Sequence, residues 1–123
     1  MDFAGPDHIY WVAPPTNGNL AQPEENQVKI GLTCATVPDL DAEQLAQSVI
    51  AATEPQSKWQ SLIKDRTFNL IASKFKGVKN LTIKGEEVRD FAHFYAAGPP
   101  EMVAWVCKAV MSSEMLSAAE RKN

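Results

Sequence analysis

The sequence predicts a mainly α fold: a compact domain of four to five helices, with minor β structure or an extended arm near the N-terminus. Three observations predict this class. The chain has 123 residues, the length of one domain. Its composition, 45% hydrophobic and 22% charged, can form a buried core. After residue 38, apolar residues recur at spacings of three and four, as on the buried faces of amphipathic helices.

We interpret residues 1–123 as a single domain, with residues 1–38 as a mixed turn and strand segment and residues 39–123 as the helical body. The first 25 residues contain four prolines and two glycines, which favour turns. Short strands are predicted over residues 8–13 and 27–37, the second of which is enriched in β-branched residues. Together these strands would form a small hairpin or an arm.

The first helix is predicted to begin at an Asp41 cap and to run to about Thr53. It ends there because a residue that precedes a proline, here Pro55, resists the helical conformation. Leu40 and Leu45 would form a hydrophobic staple around the first turn. Five apolar residues then fall on one face: Ala42, Leu45, Ala46, Val49 and Ile50.

The second helix is predicted to be the longest element, capped by Ser57 and ending at Gly77, with an extended connector after it. A third helix is predicted over residues 86–97, and a fourth begins at the Pro99-Pro100 pair, which suits a first helical turn. A short helix over residues 114–121 follows a serine cap. The predicted apolar stripes are Trp59, Leu62, Ile63, Leu70, Ile71 and Phe75 in the second helix, and Met102, Val103, Val106 and Val110 in the fourth.

Composition and motifs argue against several classes of function. No segment approaches the ~20 apolar residues that cross a bilayer, and acidic residues near the N-terminus disfavour a signal peptide. The common phosphate, dinucleotide, acyl-transfer and zinc motifs are absent. Cys34 and Cys107 are expected to be free thiols, and they share no metal-ligand spacing with His8 or His93. We therefore predict no enzymatic activity, no cofactor, no metal site and no membrane partner.

Charge is divided along the chain. Residues 1–55 have a net charge of −7 and residues 56–123 a net charge of +4. This division favours docking to charged partners, or self-association in which the acidic half of one copy meets the basic half of the next. Such a head-to-tail contact does not close, so open or spiral assemblies are expected. A plain solvated surface is the alternative.

The stretch over residues 58–84 is the most basic part of the chain. Its seven bases oppose one acid, Asp65, and they are Lys58, Lys64, Arg66, Lys74, Lys76, Lys79 and Lys84. Nucleic-acid binding, docking to an acidic protein surface and a solvated face are the three interpretations. The overall pI of about 5.3 disfavours nucleic acid.

Several features lie from Leu81 onward: Gly85, the aromatic cluster over residues 91–95, Gly98-Pro99, the Trp105-Val106 helix and residues 116–123. In these features, the last third of the chain resembles the tail assembly chaperones of long-tailed (siphovirus, lambda-like) bacteriophages. The resemblance implies a protein of the host cytoplasm that binds the tape measure protein, keeps its apolar helices soluble and helps to recruit tail tube subunits. Related chaperones are made as short and frameshifted long products, and Arg121-Lys122-Asn123 is compatible with the slippery heptamer A AAA AAC.

A chaperone of this kind needs amphipathic grooves or exposed apolar side chains. Phe68, Phe94 and Trp105 lie off the main predicted stripes, which favours them as docking residues over the other aromatic residues. The full set of partner-binding candidates is Phe68, Phe94, Trp105, Met111, Lys74, Lys76 and Lys79. The alternative functions are a structural phage protein, such as a head-tail connector or tail component, and a small nucleic-acid-binding regulator that uses the basic second helix.

Overall fold

The computed structural model describes residues 5–121. Within that range the chain is mainly α with minor β structure, as predicted. The five helices are α1 Val37–Thr53, α2 Gln56–Lys74, α3 Phe91–Ala97, α4 Pro100–Val110 and α5 Ser113–Arg121. The strands are β1 Tyr10–Val12, β2 Lys29–Leu32, β3 Phe75–Lys79, β4 Thr82–Ile83 and β5 Glu86–Glu87.

A three-stranded antiparallel sheet in the order β1-β2-β3 joins the two predicted segments of the chain. β1 and β2 pair with each other as the predicted hairpin, and β2 also pairs with β3. The predicted course of the second helix to Gly77 is wrong, because α2 ends at Lys74 and Phe75 enters β3 opposite Leu32. Phe75 therefore reaches the core from a strand rather than from the helical stripe.

The N-terminal segment is part of the core, so the alternative of an extended arm is wrong for the strands. Val12, Ile30 and Leu32 are fully buried. Asn19 fixes the loop between β1 and β2: its amide nitrogen donates to the carbonyls of Pro14 and Val28, each at 3.0 Å, and its Oδ1 accepts from the Val28 amide at 2.8 Å. A buried polar side chain stabilises a loop when its polar atoms all find hydrogen-bond partners within the protein, as those of Asn19 do.

Helix α1 begins four residues before the predicted Asp41 cap. Thr36 is the true cap: its Oγ1 accepts from the Asp39 amide at 3.2 Å, and the Asp39 carboxylate accepts from the Thr36 amide at 2.8 Å. This reciprocal capping box outcompetes Asp41, and it places Leu40 and Leu45 inside the helix, so the predicted staple is wrong. The predicted end of the helix at Thr53 is confirmed.

Two further predicted helix starts are wrong. Ser57 does not cap α2, which starts at Gln56 directly after Pro55. The third helix starts at Phe91 instead of residue 86, because Asp90 caps it by accepting from the His93 amide at 2.8 Å. The residues before it form the β4–β5 hairpin, whose two turn residues, Lys84 and Gly85, have the positive φ angles that a tight hairpin loop requires.

The last two helices follow the prediction. α4 begins at Pro100 and turns its predicted apolar stripe into the core: Met102, Val103, Val106 and Val110 are all buried. A serine cap precedes α5, since the Ser112 hydroxyl accepts from the Met115 amide at 3.1 Å. α5 packs against β1, and Glu120 accepts from the Trp11 amide at 3.1 Å. The C-terminal helix thus closes over the N-terminal strand.

Gly31 in the central strand leaves room for the Trp11 indole, which lies across it. A Cβ at position 31 would stand 2.9 Å from the Trp11 ring, and the Lys79 amine sits 4.0 Å from the centre of that ring on the neighbouring strand. We expect Gly31→Ala to lower the free energy of unfolding by about 1–2 kcal/mol, because the added methyl displaces the indole. Urea unfolding measures this change. In a Trp11→Val background the same substitution should cost far less, and an equal cost in both backgrounds would contradict the steric explanation.

Candidate docking surface on the helical hairpin

Helices α1 and α2 form a hairpin joined by a very short connection at Glu54-Pro55. The Trp59 indole N–H donates to the Glu54 carbonyl at 2.9 Å and so closes the connection. Every side chain of α1 is at least partly exposed, and in α2 it is the C-terminal part, around Phe68, Ile71 and Ala72, that packs on the core. The hairpin therefore has an outer part whose contacts are mostly between its own two helices.

Two ion pairs join the helices of the hairpin. The Arg66 guanidinium lies 3.2 Å from the Glu43 carboxylate, and the Lys74 amine lies 2.8 Å from Asp39 near the base. The Lys74–Asp39 pair is partly shielded from solvent, which strengthens it relative to a fully exposed pair. These contacts orient α1 on α2 without covering its outer face.

The uncovered face of α1, together with the adjacent side of α2, forms an apolar groove with a volume of about 550 Å³. We call this surface the hairpin groove. Leu45 is 68% exposed and Val49 is 52% exposed, and within residues 5–121 nothing lies over them. The hairpin groove is lined by residues of both helices. They are Ala42, Leu45, Ala46, Val49, Ile50, Thr53 and Glu54 from α1 and the connection, and Leu62, Asp65 and Arg66 from α2. Contiguous exposed apolar side chains are common at interaction sites, which makes the hairpin groove the candidate docking surface.

The sequence-based candidates did not include this groove, although the stripe that builds it was visible. Ala42, Leu45, Ala46 and Val49 show ordinary helical spacing, and the same spacing describes a helix buried in a core. Apolar periodicity identifies the residues that share one face of a helix, but it does not indicate whether other parts of the protein cover that face. The signal that could have indicated exposure is the absence of any aromatic residue from α1, since the aromatic residues of this chain concentrate in the core.

Phe94 is wrong as a docking candidate, because its side chain is fully buried. Its ring stacks on Phe75 with centroids 5.7 Å apart and lies 6.4 Å from Phe91. The prediction took the third helix to start at residue 86, whereas α3 starts at Phe91 and turns Phe94 into the core. Phe68 is partly buried beside the same cluster, with its centroid 5.2 Å from those of Phe91 and Tyr95.

Trp105 and Met111 are on the surface but away from the hairpin groove. Trp105 is partly buried and lines a separate cavity of about 180 Å³ with Leu20 and Met115. Met111 follows the last residue of α4 and is 37% exposed. The candidate aromatic and methionine side chains thus belong to different parts of the molecule.

The three candidate lysines contact the protein's own residues. Lys74 pairs with Asp39, the Lys76 amine donates to the Ser73 carbonyl at 3.1 Å, and the Lys79 amine lies over Trp11. Each of the three amines thus has a contact within the protein that a partner would have to replace or share.

The two cysteines and His93 have the following surroundings within the described residues. Burial raises the pKa of both Cys34 and Cys107, which keeps these thiols in the protonated, weakly nucleophilic form. The Nδ1 of His93 accepts from the Arg89 amide at 3.2 Å. Across residues 5–121, His, Cys, Asp and Glu side chains do not gather in groups of three that could hold a metal ion.

The helices of residues 5–121 include none with the length and apolar character needed to cross a membrane.

The pH dependence of the hairpin follows from Asp39. Its hydrogen bond with Lys74, followed by the one from the Thr36 amide, lowers its pKa from 3.8 to about 2. A lowered pKa means that the charged form stabilises the folded state above pH 4, and that this contribution disappears as the pH falls from about 4 to 2. We expect Asp39→Asn to cost about 1–2 kcal/mol at pH 7, after allowance for partial exposure, and almost nothing at pH 2.

Urea unfolding of both proteins across this pH range measures the difference. Asp41→Asn, two residues further along the same helix and without an ion pair within residues 5–121, is the matched control. If the difference in free energy of unfolding between Asp39→Asn and the unmodified chain stayed constant down to pH 2, the ionised Asp39 carboxylate would not be the source of the stabilisation.

Comparison with models of protein families, with curated proteins and with solved structures finds no match to this chain.

Proposed function

We propose that this chain is a phage tail assembly chaperone that acts in the host cytoplasm. It binds the tape measure protein in the hairpin groove, keeps that protein soluble and helps to recruit tail tube subunits. The resemblance of the residues from Leu81 onward supports the family. The observation that carries the proposal is the uncovered apolar groove, with Leu45 and Val49 largely exposed on a helix pair that is held in place by its own contacts.

The groove suits a helical client. α1 is 17 residues long, which corresponds to about 26 Å of helix. An amphipathic client helix can lay side chains at positions i, i+3, i+4 and i+7 along a surface of that length. Shielding one apolar face of the client lowers its tendency to aggregate, and an open groove allows the client to leave when the tail tube replaces the chaperone.

The frameshift prediction concerns Arg121-Lys122-Asn123, of which Lys122 and Asn123 lie outside the described residues. We propose that this chain is the short product, and that a longer product supplies the contact with the tail tube. The nucleotide sequence tests this directly: A AAA AAC at this position with an open second reading frame supports it, and any other codon usage for these residues contradicts it.

Co-expression of this chain with the tape measure and tail tube proteins of the same phage tests the proposed function. We expect the tape measure protein to move into the soluble fraction and to be retained on the tagged chain, whereas an unrelated coiled-coil protein is not retained. The chain should be absent from purified particles. Retention in finished particles without any effect on tape measure solubility would contradict the proposal and identify a structural virion protein.

A further inference from the structure

We propose that the hairpin groove selects a basic amphipathic helix, that is, a helix whose apolar face is bordered by lysine or arginine. This selectivity concerns the client segment and therefore rests on the proposed function. It follows from the charges that surround the apolar lining, which are acidic on balance and most acidic at one end.

Acidic side chains border the groove on both helices. Asp65 of α2 and Glu54 of the connection line it, and Asp41 stands one turn before the lining residue Leu45 on α1. All three acids are exposed, and within residues 5–121 none of them takes part in an ion pair. Their charges are therefore available to a bound molecule.

The bases of the hairpin do not balance these acids. Helix α1 has no basic residue, and two of the four bases of α2, Arg66 and Lys74, pair with acids of α1. Lys64 lines a different cavity, between α2 and α3. The remaining base, Lys58, stands one turn before the lining residue Leu62. One unpaired base thus accompanies three unpaired acids around the groove.

The two ends of the groove differ in charge. Glu54 and Lys58 lie four residues apart at the connection, where their opposite charges offset each other. Leu45 lies nine residues before the connection and Asp65 ten residues after it, so both stand about 15 Å from it along the helix axes. Asp41 is about 6 Å further along α1. The acidic end is therefore the one away from the connection, around Leu45.

A helix with an apolar face and basic flanks complements both the lining and the rim. Its apolar side chains cover Leu45 and Val49, while lysine or arginine beside that face extends toward Asp41 and Asp65. Long basic side chains suit this position, because their methylene stems lie along apolar surface while their charged ends stay in water. Glutamate at the same positions would meet charges of its own sign, which weakens binding.

Two designed peptides test the selectivity. Each forms a helix of about 18 residues, similar in length to α1, with leucines at positions i, i+3, i+4 and i+7. One peptide has lysines beside the apolar face, and the other has glutamates at the same positions. Lysine and glutamate have similar helix propensities, so the peptides differ mainly in charge. In titration calorimetry with the full chain, the lysine peptide should bind roughly tenfold more tightly, and high ionic strength should reduce that difference.

Charge-reversal variants separate the groove from the overall acidity of the chain. Asp41→Lys/Asp65→Lys should invert the preference, so that the glutamate peptide binds several-fold more tightly. Glu86→Lys/Glu87→Lys is the matched control, because it changes the net charge equally at exposed β5 residues outside the groove lining. The control should keep the preference for the lysine peptide.

Circular dichroism compares the helical content of these proteins. Asp41→Asn/Asp65→Asn provides a milder change if the lysines prevent folding, and it should reduce the preference to within roughly threefold.

Equal binding of the two peptides by the unmodified chain, binding of neither peptide, or an inverted preference in the β5 control would overturn the inference. A dimer of the chain that Leu45→Asp abolishes and that the lysine peptide does not dissociate would also overturn it. Sedimentation velocity detects such a dimer, which would show that a second copy occupies the groove.

Capture of the tape measure protein is a separate result. Peptide binding with the inverted preference, but without any effect on tape measure solubility, would support the selectivity of the groove and contradict the chaperone function. If the unmodified chain and Asp41→Lys/Asp65→Lys both kept the tape measure protein soluble, and the two peptides bound equally, the function would stand and the selectivity would be wrong.

Discussion

Leu45→Asp is expected to abolish capture of the tape measure protein while leaving the chain folded. Leu45 is 68% exposed, so its replacement should change the free energy of unfolding by no more than about 0.5 kcal/mol. In the complex, the new carboxylate would lie against the apolar face of the client, where an unpaired charge is costly. We expect the affinity for the client to fall by about 100-fold, equivalent to roughly 3 kcal/mol.

Isothermal titration calorimetry with a purified client fragment measures this loss. Leu20→Asp is the matched control, because Leu20 is also an exposed leucine, at 46%, but lies beside the Trp105 cavity. The control should bind as the unmodified chain does. Normal binding by Leu45→Asp, or loss of binding by Leu20→Asp, would place the client elsewhere on the molecule.

Phe94→Ala is expected to have the largest effect on stability, about 3–5 kcal/mol, because it leaves a cavity in the core beside the rings of Phe75 and Phe91. The ring of Phe94 is fully buried and is contacted by Phe75 and Phe91. Tyr95→Ala changes the next residue of the same helix, where the side chain is 41% exposed and its ring contacts are with Phe68 and Phe91. It should cost about 1 kcal/mol.

Urea unfolding followed by circular dichroism separates the two outcomes for Phe94. A chain that unfolds at much lower denaturant concentration has lost a core residue. If Phe94→Ala unfolds like the unmodified chain but fails to capture the client, then Phe94 is a docking residue after all, and the described packing of α3 is wrong.

The parts of the fold that could be predicted are those set by local chemistry. Pro55, Gly98 and the Pro99-Pro100 pair delimit helices through the backbone itself, and the observed ends lie at or beside them. The predicted apolar stripe of α4 is also confirmed, because its residues all lie on one helix face and that face packs on the core.

The wrong predictions occur where the structure depends on interactions between residues far apart in the sequence, or on two local interactions that compete. Phe75 has helical spacing with Ile71, yet pairing with β2 draws it into a strand, and that pairing involves residues far away in the sequence. Asp41 is a reasonable cap in isolation, but Thr36 and Asp39 satisfy each other and start the helix earlier. The candidate site could not be predicted from local sequence for the same reason. The exposure of Leu45 depends on which surfaces the rest of the chain covers.

Site-specific photo-crosslinking tests whether the tape measure protein binds in the hairpin groove. A photoreactive amino acid placed at position 45 in the hairpin groove, or at position 20 as the control, is irradiated in cells that also produce the tape measure protein. Our interpretation predicts a covalent adduct with the tape measure protein from position 45 and none from position 20. Adducts from position 20 alone, or no adduct from the hairpin groove while the client is still kept soluble, would contradict it.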